Sequence, residues 1–155
     1  ENLEMARKLG ANVTINLKQD DVVAEVYKLT GDGVDVSFES AGAPQTLEKT
    51  VPVTRPRGKV VFAGNQPVDK SIQLSFIENM MRRELSLIGN HMSYSAPWPG
   101  HEWTDVLSVL ADGSFDTDAL ISHRFSLVEA PEVFAQIKEG SLKHLKIILL
   151  PESSE

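Results

Sequence analysis

Two short turns carry the residues with the clearest chemical use. Glu39-Ser40-Ala41-Gly42-Ala43-Pro44 follows the alternating run Val34-Asp35-Val36-Ser37-Phe38, and Ala63-Gly64-Asn65 closes the apolar run that starts at Lys59. Small residues let a ligand approach the backbone closely. In an open parallel sheet, ligands bind at the carboxyl ends of the strands. Either turn alone reads as an ordinary strand-to-helix connection, which also favours Gly and Ser. Two of them on neighbouring strands are the stronger indication of a binding edge.

Other reactive side chains point to no catalytic centre. His91, His101, His123 and His144 lack the close helical spacing of a metal-binding pair. His91 and His101 flank a turn-rich loop around Trp98 and read best as loop histidines; His123, beside Arg124, reads as structural. Ser40 has no glycine two residues before it, so it forms no activated-serine elbow. Glu78, Glu84 and Glu102 fit a charged helix face. Arg82-Arg83-Glu84 reads as a solvated cluster in preference to a phosphate site or interdomain ion pair. By position alone, Lys146 is a solvated lysine at a strand edge. No catalytic residue and no metal ligand is assigned.

The elements that must hold these turns alternate. Leu3, Ala6 and Leu9 recur at helical spacing, with Gly10 as the stop. Val13–Asn16 reads as a short strand. Asp20 or Asp21 caps a helix whose inner face is Val22, Val23, Val26 and Leu29. A strand over 34–39, a helix from Pro44 to about Val53 and a buried parallel strand over 59–63 follow. From Gln66 to Glu84 the pattern gives a turn, a short apolar stretch and a charged cluster. A strand over 85–89 precedes a loop in which Pro97, Pro99 and Gly100 surround Trp98 as an aromatic anchor. Trp103, Val106, Leu107 and Leu110 mark one helix face, and 120–125 a strand. Pro131 opens a helix with Val133, Phe134 and Ile137 inward, stopped by Gly140, and 146–150 is the last strand. This rhythm is that of the back half of a doubly wound sheet.

The 155 residues, 41% hydrophobic and 24% charged, are ordinary for a globular domain. The net charge of -7 and scattered basic residues argue against a nucleic-acid partner. Without cysteine, disulfides and thiolate metal sites are excluded within the chain. No apolar run approaches the roughly 20 residues that span a bilayer, and a cytoplasmic setting is expected.

The order of segments resembles the C-terminal part of the medium-chain dehydrogenase/reductase superfamily, in its zinc-dependent polyol dehydrogenase branch. The resemblance rests on Ala6–Ala11, Gly33–Gly42, Gly58–Gly64, Glu84–Gly89 and Lys146–Leu149, in that order and across nearly the whole chain. Within the branch, Tyr94–Trp103 is similar to the corresponding loop of galactitol-1-phosphate 5-dehydrogenases. The fold class implied is α/β, the C-terminal part of a Rossmann-type doubly wound parallel sheet over 1–119. Residues 120–155 would be a tail belonging to a GroES-like catalytic domain. The resemblance implies NAD as cofactor, with Ser40, Ala41 and Gly42 along its path. Ala63, Gly64 and Asn65 would face the nicotinamide end, and Asn90, His91 and Met92 the nicotinamide and substrate. Lys146 would lie near the pyrophosphate, a charge-assisted pair. It further implies a small polyol or polyol phosphate as substrate, with no membrane partner. A homodimer or tetramer would form through the edge strand Leu85–Ile88.

The family's zinc ligands, glycine-rich turn and ribose-reading acid have no counterpart in this sequence; they are expected upstream of Glu1, as is the rest of a chain that opens in mid-domain. The isolated polypeptide is therefore expected to be inactive, and unstable or domain-swapped. Three alternatives stay open: a sorbitol- or threonine-type dehydrogenase of the same family, a non-catalytic nucleotide-binding or interaction module, and an unrelated open α/β domain.

Overall fold

A computed structural model of the chain describes residues 2–65, 71–91 and 97–151. The elements run α1 (Asn2–Lys8), α2 (Val22–Thr30), β1 (Val34–Glu39), α3 (Pro44–Val53), β2 (Thr54–Phe62) and α4 (Leu74–Arg82). Then follow β3 (Ser86–Gly89), α5 (His101–Ala111), β4 (Ile121–Ser126), α6 (Ala130–Glu139) and β5 (Lys146–Leu150). They form two compact units: Ile15–Tyr94, and Glu1–Thr14 together with Ser95–Glu155.

The unit of residues 15–94 holds the turns of interest. Its sheet has the order β1-β2-β3, with both pairings parallel. Asp21 starts α2: its Oδ1 accepts from the amides of Val23 and Ala24 at 3.1 and 3.2 Å, satisfying donors that the first helical turn leaves open. Pro44 occupies the first turn of α3, where its missing N–H costs nothing. Helix α3 lies on β1 and β2, and the small apolar core is Val51 and Val53 of α3, Val60 of β2 and Phe76 of α4. A buried polar seam runs beside it. The Thr54 hydroxyl donates to the Thr50 carbonyl at 2.6 Å, which leaves Ser37 to donate to Thr54 Oγ1 at 2.8 Å. Arg83 ties the seam to α2, donating to the Thr54 carbonyl (3.0 Å) and the Tyr27 hydroxyl (2.8 Å).

In the other unit, β4 and β5 pair in parallel. The capping box of Ser126 and Glu129 turns the chain into α6 through a 3-10 turn at Leu127–Glu129. Gly140 ends α6 in the left-handed conformation, φ 72°. Val133 is buried.

Several sequence expectations are corrected. Val13–Asn16 forms no strand; no described strand offers it a ladder, and an extended segment without one is not a strand. Residues 74–82, read as a turn and apolar stretch, are helix α4. Strand β2 starts at Thr54, five positions before Lys59, through a bulge in which Arg57 takes φ 62°. The apolar residues of β1 are not its buried ones: Ser37 and Glu39 face α3, while Val36 and Phe38 are exposed. Leu29, Phe134 and Trp98, expected inward or as an anchor, are exposed too. Trp98 meets Trp103 edge-on at 4.9 Å, within the loop and helix α5. Arg83 is a structural tie and not a solvated residue, whereas Arg82 pairs with Glu78 on the surface of α4.

Candidate functional site

The two small-residue turns lie at the carboxyl ends of β1 and β2, which the pairing of Glu39 with Phe62 holds level. Glu39 organises both. It is 1% exposed. Its Oε1 accepts from the amides of Ala41 and Gly42, each at 3.0 Å, and from the Thr46 hydroxyl of α3 at 2.7 Å. Its backbone carbonyl accepts from the amides of Ala63 and Gly64 at 2.8 and 2.9 Å. One residue thus hydrogen-bonds the turn after its own strand and the turn after the next.

The glycines allow the turns to touch. Gly42 has φ +65°, and a Cβ there would overlap the Asn65 carbonyl oxygen. A Cβ on Gly64 would overlap the Gly42 amide and stand 2.6 Å from Glu39 Oε2. Around this packed centre Ser40, Ala41, Ala63 and Asn65 are exposed, and Gly42 and Gly64 are half-buried. The result is a rim of small, exposed or half-buried residues along two adjacent strand ends, with the Ala41, Gly42, Ala63 and Gly64 amides already donated to Glu39. Such a rim can seat a flat, hydrogen-bonding ligand against main-chain atoms.

Asn90 continues the rim to the third strand. Its amide donates to the Phe62 carbonyl at 2.8 Å, and Asn90 and His91 are exposed. Met92 lies outside the described residues. Lys146 is exposed at the start of β5, in the other unit. The structure therefore brings together Ser40, Ala41, Gly42, Ala63, Gly64, Asn65 and Asn90.

Glu39 is a candidate functional position that residue type alone does not announce. Its signal was parity: Glu39 shares a strand face with Ser37, so two polar residues occupy the inward positions of a short strand. A buried acid in front of small residues needs donors, and Ala41, Gly42 and Thr46 supply them.

A nicotinamide dinucleotide fits the rim in character, since its flat ring and ribose need close main-chain approach. Zinc has no such fit: among the described residues no group of three or more His, Asp or Glu could hold a metal ion.

Comparison with known proteins agrees with this architecture. Residues 1–112 match the family described as zinc-binding dehydrogenase. An alcohol dehydrogenase of Cupriavidus necator is 36% identical over 147 residues, 91% of this chain and 38% of that protein. The galactitol 1-phosphate 5-dehydrogenase of Escherichia coli (strain K12) is 28% identical over 154 residues, 97% of this chain and 44% of the relative. The crystal structure of galactitol-1-phosphate dehydrogenase from Escherichia coli superposes with a TM-score of 0.85 at 27% identity, over 96% of this chain and 43% of that one. The 2R,3R-butanediol dehydrogenase of Bacillus subtilis gives a TM-score of 0.75 at 30% identity, over 96% and 40%. The chain spans less than half the length of these relatives.

Proposed function

The chain belongs to the zinc-binding dehydrogenase family, a branch of the medium-chain dehydrogenase/reductases, and on that premise we propose that it forms the later part of the cofactor-binding domain of a polyol or polyol-phosphate dehydrogenase. The reaction is hydride transfer between a secondary carbinol and NAD. The observation that carries this reading is the rim at Ser40–Gly42 and Ala63–Asn65, where two parallel strands end in abutting turns over one buried carboxylate.

In this reading Ser40, Ala41 and Gly42 line the cofactor path, and Ala63, Gly64 and Asn65 hold the nicotinamide end through main-chain groups. Asn90, His91 and Met92 border the nicotinamide and the substrate. Lys146 pairs its charge with the pyrophosphate. The chain's own contribution is to bind and orient the ring, which fixes the face that exchanges the hydride. Zinc enters no step assigned to these residues. The polyol-phosphate choice is supported by the likeness to galactitol 1-phosphate 5-dehydrogenase. Self-association through β3, which lies at a sheet edge with pairing to β2 alone among the described strands, belongs to the same proposal. So do a cytoplasmic setting, the assignment of 120–155 to the catalytic domain, and inactivity of the chain by itself.

The test is which half of the dinucleotide these turns recognise. In a titration followed by backbone amide shifts, nicotinamide mononucleotide should move the amides of Ser40–Gly42 and Ala63–Asn65. Adenosine monophosphate should leave them in place. The opposite pattern refutes the assignment.

A further inference from the structure

We infer that Glu39 is a positioning residue for the nicotinamide cofactor: its buried carboxylate sets the two strand-end turns against each other. The inference rests on the reading of those turns as the cofactor contact. Burying an acid is costly and persists where hydrogen-bond donors offset the cost. Here the donors come from the turn itself, Ala41 and Gly42, and from α3, through Thr46. The same residue's carbonyl holds Ala63 and Gly64 of the second turn. The packing leaves no slack, because neither Gly42 nor Gly64 has room for a Cβ. A change in the carboxylate therefore acts on the Ala41–Gly42 turn directly, and reaches Ala63–Asn65 through the close packing of Gly42 against Gly64 and Asn65. At 1% exposure Glu39 acts through Ala41, Gly42 and Gly64, which lie at the rim, and not by touching the ligand.

A purely structural role makes a different prediction, and Ser37 supplies the control. It sits two residues earlier on the same face, is also buried, and bonds to Thr54 and Thr50 without reaching either turn. Four variants of the 155-residue chain are compared with the parent: Glu39→Gln, Thr46→Val, Thr46→Ser and Ser37→Ala. Each is titrated with NAD+ by amide shifts and melted thermally. Glu39→Gln should weaken NAD+ binding by roughly tenfold, as expected of a small misplacement of contact groups. Thr46→Val should move the same way and Thr46→Ser should return to the parent value. Ser37→Ala should lower the melting temperature while leaving affinity unchanged. If Ser37→Ala weakens binding as much as Glu39→Gln, or Thr46→Ser fails to rescue, the positioning role is wrong. If the parent shows no saturable NAD+ shift, the cofactor reading itself fails. Amide exchange then decides the positioning separately: the Ala41 and Gly42 amides should exchange slowly in the parent and faster in Glu39→Gln, whose neutral amide oxygen is a weaker acceptor than the carboxylate, and unchanged rates overturn it.

Discussion

At Gly64 one hydrogen atom separates a working turn from an overpacked one. A methyl there would meet the Gly42 amide and Glu39 Oε2 together. Gly64→Ala should cost about 1–3 kcal/mol, the range for forcing a side chain into filled space, read by urea denaturation. Gly42→Ala adds the strain of a side chain at φ +65° to a clash with Asn65. Gly10→Ala has φ +106° but open space around it, so it should show strain alone and rank below both. An equal cost at all three positions would mean that the turns do not abut. At this scale the sequence was partly legible. Ser40, Ala41, Gly42 and Gly64 announce a turn by their size, and the structure does bring the two turns together. Glu39 is hidden to residue type alone; its burial follows from the strand face it shares with Ser37 and from the donors Ala41, Gly42 and Thr46.

Among the elements, long periodic segments were read well. Helices α2, α3 and α6 and strands β1 and β5 stand where capping residues, Pro44, Gly140 and apolar runs put them. The Asp21 cap should be worth about 1 kcal/mol, so Asp21→Ala should lower stability by that amount in the same denaturation assay. An unchanged midpoint would show that another group satisfies the Val23 and Ala24 amides. Helix α4 was missed because Leu74, Phe76, Ile77, Met80 and Met81 look like an apolar stretch, and a charged end at Arg82-Arg83-Glu84 masks the period. Its apolar residues mostly face solvent: Phe76 is buried, whereas Leu74 is 83% exposed. Leu74→Gln should therefore change stability by less than about 0.5 kcal/mol, as at other uncovered positions. A larger loss would mean that Leu74 is covered in solution. Val13–Asn16 failed as a strand for the complementary reason: β propensity needs a ladder, which comes from another segment.

Taken over the whole chain, much apolar surface lies open. Phe38 is 68% exposed on β1 and Phe134 61% exposed on α6, and Val106, Leu107 and Leu110 line an uncovered face of α5. Doubly wound sheets normally bury both faces, and patches of this kind promote association. The isolated chain should therefore sediment as more than a monomer. A strictly monomeric species would contradict this. Periodicity groups Trp103, Val106, Leu107 and Leu110 on one side of α5. It could not say whether anything covers them, because cover depends on tertiary partners.

The proposed meeting of the β1 and β2 ends with the nicotinamide half of the cofactor is tested most directly by a backbone amide shift titration of the chain with NAD+, nicotinamide mononucleotide and adenosine monophosphate in parallel. Saturable shifts are expected at Ser40, Ala41, Gly42, Ala63, Gly64 and Asn65 with the first two ligands and none there with the third. Shifts there with adenosine monophosphate alone, or no shift at these residues with any of the three, would contradict it.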